Sequence, residues 1–128
     1  MAIPSGSGTE VLRRGTAHAI SDAATALRFD GNPVSAVGTN TVTVPANHII
    51  TLVSMSFVEV GGANAAVNMI IRDGTNDIYI LVAETLPGNS TFFLNEKIVI
   101  HPGDKVTVFL GASGNTDVWY SYIDQDWS

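Results

Sequence analysis

The chain has 128 residues, 45% hydrophobic and 14% charged, with a net charge of −6 and no cysteine. That length suits one domain with its own core. The composition excludes a disulfide framework and thiolate metal sites, and the absence of any basic stripe excludes nucleic acid as a partner.

The charge is unevenly placed. Residues 1–58 hold Arg13, Arg14 and Arg28 against Glu10, Asp22 and Asp30, whereas residues 59–128 hold three cations against nine carboxylates. So little charge leaves two ways to finish the surface: neutral polar groups, or burial against other subunits. The second is the stronger expectation. No apolar run approaches the ~18 residues needed to span a bilayer, so no membrane partner is expected. No basic-then-apolar leader is visible at "MAIPSGSG". The expected setting is a reducing cytoplasm or a particle assembled there.

In chain order, "IPSGSGTEVLRR" (3–14) comes first. Its glycines invite a phosphate loop, but no strand precedes Gly6 and no Lys follows until Lys97. A short helix fits better. Ser7 and Glu10 form an S-x-x-E capping box, Glu10 and Arg13–Arg14 complement the helix dipole, and Gly15 serves as a left-handed stop. About two turns of helix cannot persist alone. Residues 1–15 are therefore expected to be an arm that docks on its own domain, a neighbouring subunit or a larger assembly. Val11 and Leu12 are its apolar anchors, and Arg13 and Arg14 meet acidic groups. Residues 16–128 form the folded domain.

Next, residues 16–20 and 24–29 read as strands, with a helix over 22–29 as the competing assignment, and Gly31-Asn32-Pro33 as a turn. "TVTVPANHIITLVSMSFVEV" reads as two strands parted by Pro45-Ala46-Asn47, with a bulge near Ser54–Ser56 or burial on both faces. "VNMIIRDGTNDIYILVAE" is a hairpin around Asp73-Gly74. Pro87-Gly88-Asn89 turns into a short strand near Phe92–Leu94, and "HPGD" joins two further strands. "TDVWYSYIDQ" alternates Val118, Tyr120 and Tyr122 with Trp119, Ser121 and Ile123. About eight strands with frequent turns and no long helix predict an all-β, antiparallel, jelly-roll-like sandwich. Residues 31–58 contain no Asp, Glu, Lys or Arg, which marks them as central strands, a subunit contact, or both.

Candidate chemistry is thin. His18, His48 and His101 lack ligand spacing, and the last two fall in expected solvent turns. Asp73, Asn76 and Asp77 offer oxygens to calcium, but turn chemistry explains them and no distal Glu sits in EF-hand register. Glu59, Glu84 and Glu96 read as surface groups at strand ends rather than a hydrolytic pair. No Gly-x-Ser-x-Gly elbow is present, and Asn89-Ser90-Thr91 is read as a turn rather than a glycosylation site. No catalytic, cofactor or metal residue is assigned, and no enzyme is expected. Trp119 and Trp127 stand out as aromatics for an interface or a ligand. Trp127 beside Asp124 and Asp126 implies a tethered tail.

"SGSGTEVLRR" at one end and "EKIVIHPGDKVTVFLGASGNTDVWYSYIDQ" at the other, about 40 residues together, resemble small structural proteins of tailed bacteriophages. In that family a Gly/Ser-rich start and a basic-ended Glu-Val-Leu segment precede a β-sandwich, which closes on strands joined by Pro-Gly-Asp. Here Asp124 replaces the more usual Glu, and the chain continues to Trp127. The resemblance implies a capsid decoration (cement) protein, often a homotrimer, bound to the major capsid protein on the outside of the virion. A tail-associated carbohydrate- or receptor-binding module is the alternative, with Trp119 or Trp127 as its stacking platform.

Overall fold

A computed structural model describes residues 8–127. Residues 1–7, with Ser7 of the expected capping box and the start of the expected arm, lie outside the described residues, as does Ser128. Nine strands follow in order: β1 (Thr9–Ile20), β2 (Thr25–Ala26), β3 (His48–Glu59), β4 (Ala65–Arg72), β5 (Asp77–Leu86), β6 (Thr91–Leu94), β7 (Ile98–Ile100), β8 (Lys105–Leu110) and β9 (Thr116–Asp126). One sheet runs β1-β9-β3-β6, with β7 pairing β3 beyond the end of β6; the other runs β2-β8-β4-β5. All pairings are antiparallel. The expected jelly-roll-like sandwich is the observed architecture, without a helix among the described residues.

The core lies between the sheets. Ile50, Leu52, Met55, Phe57, Tyr120 and Tyr122 from the first sheet meet Val67, Met69, Leu86, Val106, Val108 and Leu110 from the second. Each such side chain contributes roughly 1.5–3 kcal/mol by leaving water.

Where the expected helix over 7–15 is described, it is strand from Thr9 onward. β1 pairs with β9 from Thr9↔Asp126 to Ala17↔Val118, running unbroken through the expected arm boundary at 15 and 16. A ladder along β9 satisfies more backbone groups than an undocked two-turn helix would. Gly15 is no left-handed stop. A Cβ there would lie 2.1 Å from Cζ of Tyr120, so the glycine exists to let that ring pack against the backbone.

Two further expectations fail. Residues 41–44 form no strand; Val44 alone engages the fold, donating to the carbonyl of Asp104 and accepting from the Gly103 N–H. Of 24–29, only Thr25–Ala26 forms a strand. Beyond it the chain crosses the core on side-chain anchors. The Tyr120 hydroxyl accepts from the Arg28 N–H (3.0 Å) and donates to its carbonyl (2.6 Å), and the Tyr122 hydroxyl accepts from the Gly31 N–H (2.8 Å). Phe29 packs edge-on against both rings. Burial raises both tyrosine pKa values above the usual phenol range.

The other turn signals hold. The register shift between Leu52 and Ser54 places the expected bulge. Gly74, Asn89 and Gly103 take positive φ at the three expected turns. "HPGD" links strands of different sheets, β7 and β8, rather than a hairpin.

Candidate interaction surface

Strand β9 lies between β1 and β3, and its alternation divides it sharply. Val118, Tyr120, Tyr122 and Asp124 point into the sandwich, while Trp119, Ser121 and Ile123 point out. Directly paired residues share a face, so the register lays out the outer surface row by row. One row is Leu12, Ile123, Thr51 and Val99; another is Thr16, Trp119, Ser56 and Phe93. Leu12 is 72% exposed, Phe93 64%, Val99 57% and Trp119 48%. Between them lie hydroxyls and aliphatic side chains.

The charges on this face are few. Arg14 places its guanidinium 5.0 Å from the Trp119 ring centroid, a cation–π contact worth roughly 0.5–1 kcal/mol when exposed. His18 Nδ1 sits 2.9 Å from Asp117 Oδ1, which also accepts the Ala19 N–H at 3.0 Å. That bond supports a left-handed alanine (φ 59°) where β1 shifts register. Beside Trp119, His18 and Asp117 border a shallow depression of about 370 Å³, lined also by Thr16, Ser56 and Val58.

At one end of the same sheet, three strands are tied together. Asp124 is buried, its Oδ2 3.3 Å from Arg13 Nε and its Oδ1 2.7 Å from His48 Nδ1, while His48 Nε2 is 3.6 Å from Asp126. His48 is therefore a half-buried strand residue between carboxylates, not a solvent turn. Arg13, expected to reach a neighbour, is engaged within the chain. The tail is tethered as expected: the Trp127 N–H donates to the Asn47 carbonyl at 3.1 Å.

Glu59 also departs from expectation. It is buried, and its carboxylate accepts the N–H groups of Gly61 (2.8 Å), Gly62 (2.8 Å) and Asn89 (3.0 Å). These amides, Asn89 foremost, hold its pKa below the usual carboxylate value. It organises two loops. Glu84 and Glu96 are exposed. Asp73 accepts the Asn76 and Thr75 N–H groups, and Asp77 pairs with Arg72, so the would-be calcium residues serve the hairpin. His18, His48 and His101 stay apart, and no group of three metal-ligating side chains occurs among the described residues.

No family model matches the sequence, and a comparison with curated proteins finds no match. Solved structures do share the fold. A Bacillus endospore appendage, from a family of disulfide-linked pili, superposes at TM-score 0.53 with 15% identity, covering 100% of this chain and 97% of that one. A chain of the acid-stable capsid of Helicobacter pylori bacteriophage KHP30 superposes at TM-score 0.52 with 12% identity, covering 98% and 92%. At these identities the likeness is one of fold, and it extends over nearly the whole of each chain.

Proposed function

We propose that this chain is a non-enzymatic structural subunit of a phage virion, a capsid decoration protein that binds the major capsid protein on the head exterior as a homotrimer. The observation that carries this reading is the outer face of the β1-β9-β3-β6 sheet. It is broad, nearly free of charge, and exposes Leu12, Phe93, Val99 and Trp119. Apolar area of this kind gains roughly 25 cal/mol per Å² when covered, less the ordering costs of association. On a head strained by packaged DNA, many copies of a modest contact add up. The resemblance of both chain ends to tailed-phage structural proteins supports the same reading. Immunogold labelling of phage particles with antibodies against the purified chain tests it. Label over heads is the expected result; label confined to tails, or none, overturns it.

A second reading follows from the depression beside Trp119. A half-exposed indole bordered by Asp117 and His18 offers a stacking platform and hydrogen-bonding groups to a sugar, as a tail-associated receptor module would. It is the weaker reading, because Arg14 already lies against that ring. Sugar-dependent quenching of tryptophan fluorescence would favour it.

A further inference from the structure

Two concavities share Thr16 and Trp119. One is the depression toward His18 and Asp117; the other is a niche of about 140 Å³ lined by Arg14, Thr16, Gly31, Pro33 and Trp119. The niche forms where the 31–34 segment comes against β1, and that segment is pinned at both ends. The Gly31 N–H donates to the Tyr122 hydroxyl at 2.8 Å, and the Val34 N–H donates to the Thr16 carbonyl at 2.9 Å. The wall opposite Arg14 is therefore held by the fold.

The charges near this niche do not balance. Asp30 is engaged by Arg28, Asp117 by His18, and Asp124 by Arg13 and His48. Arg14 has no such partner. It makes no ion pair among the described residues, and its guanidinium lies 5.0 Å from the Trp119 ring centroid. Arg13 approaches the same loop, since a Cβ on Gly31 would lie 3.1 Å from Arg13 Nη1. Two guanidiniums thus flank Gly31, and Asp124 answers only one of them. In a chain of net charge −6, a local excess of positive charge runs against the trend and complements an anion.

The contact with Trp119 suits Arg14 to that task. A guanidinium carries five N–H donors in its plane, and lying over a ring uses its face, not those donors. The free edge matches the two oxygens of a carboxylate. Holding the side chain on the ring beforehand lowers the ordering cost of the pairing. Thr16 adds a hydroxyl that makes no hydrogen bond among the described residues. Leu12 lies on the same face as Arg14 and is 72% exposed, so apolar groups beside the carboxylate would also find a surface.

We infer that the niche of Arg14, Thr16 and Trp119 takes an acidic side chain, Asp or Glu with apolar neighbours, from the capsid partner. The inference rests on the proposed head binding and names a polar anchor for it. Arg14 belongs to the outer face assigned to that contact, so its anion is drawn from the same partner.

Cosedimentation with phage heads assembled without this chain tests it, using wild type, Arg14→Gln and Arg14→Lys. Arg14 is exposed and touches only the Trp119 ring, so melting temperatures should agree, and circular dichroism checks folding. Expected is a loss of head affinity of roughly tenfold in Arg14→Gln. Arg14→Lys should recover only a small part, because it restores the charge without the planar fork. Raising salt from about 0.05 M to about 0.5 M should weaken wild type more than Arg14→Gln, since screening acts on the ion pair. Equal affinity and equal salt response in Arg14→Gln would overturn the inference and leave head binding by the apolar face intact. Wild type that binds no heads would overturn both. Glucuronate titration addresses the other source of a carboxylate. Tryptophan quenching by glucuronate but not glucose, abolished in Arg14→Gln, would give the niche to an acidic sugar instead. Light scattering addresses self-association: a multimer that Arg14→Gln dissociates, with head binding unchanged, would give it to a second copy and overturn the inference.

Discussion

The two faces of β9 differ in what they are occupied with. On the inner face Tyr120 and Tyr122 are fully buried, their hydroxyls hold the 28–31 segment, and Asp124 ties Arg13 and His48. On the outer face Trp119 is half exposed with the Arg14 guanidinium against its ring, and the Ser121 and Ile123 side chains are partly exposed beside it. One strand thus carries both the groups that fold the chain and the groups left over for something else. Aromatic residues alone do not distinguish these roles. Their bonding partners do.

The contrast predicts a graded set of outcomes. The largest concerns the inner face: Gly15→Ala should cost about 3 kcal/mol, because the new methyl meets the Tyr120 ring and the backbone of β9 leaves little room to yield. Thermal melting would measure it. Next, Tyr120→Phe removes the partner of both the Arg28 N–H and its carbonyl, at roughly 1–3 kcal/mol. The raised phenol pKa adds a pH signature. A group whose pKa rises on folding contributes stability below its unfolded value, about 10, and loses it as pH climbs above that. Chemical denaturation at pH 8 and pH 11 should therefore show a larger alkaline loss in the wild type than in the variant.

Glu59 behaves with the opposite sign. Its lowered pKa contributes stability above the unfolded carboxylate value of about 4.3, lost as pH falls through the folded value. Glu59→Gln should be less stable than wild type at pH 7, with the gap closing below about pH 4. Denaturation curves across that range check it. The smallest effect belongs to the outer face: Trp119→Ser should change folding stability by no more than about 0.5 kcal/mol. A large loss would place Trp119 among the core residues.

Much of this contrast was legible in the sequence, because it is local. The alternation along 116–126 separates Tyr120 and Tyr122 from Trp119, and Asp73-Gly74, Pro87-Gly88-Asn89 and Pro102-Gly103 place turns through their own backbone chemistry. What failed was decided at long range. Residues 7–15 satisfy a helix cap and a strand equally well, and only the open side of β9, over a hundred residues away, settles the matter. Thr41–Val44 has strand composition but meets a partner at Val44 alone. The Arg13–Asp124–His48 cluster joins residues 111 and 76 positions apart, with no spacing motif to announce it. The Ile78–Val82 edge was also hidden, since an apolar run reads the same whether buried or bare.

The central claim is that the outer face of the β1-β9-β3-β6 sheet serves a partner and not the fold. It is tested most directly by cosedimentation of the wild type and a Trp119→Asp, Phe93→Asp double variant with phage heads assembled without this chain, with melting recorded on the same samples. The account predicts saturable binding of the wild type, loss of binding by the variant, and closely similar melting temperatures. Equal binding by both proteins, or a variant that melts far below the wild type, would contradict it.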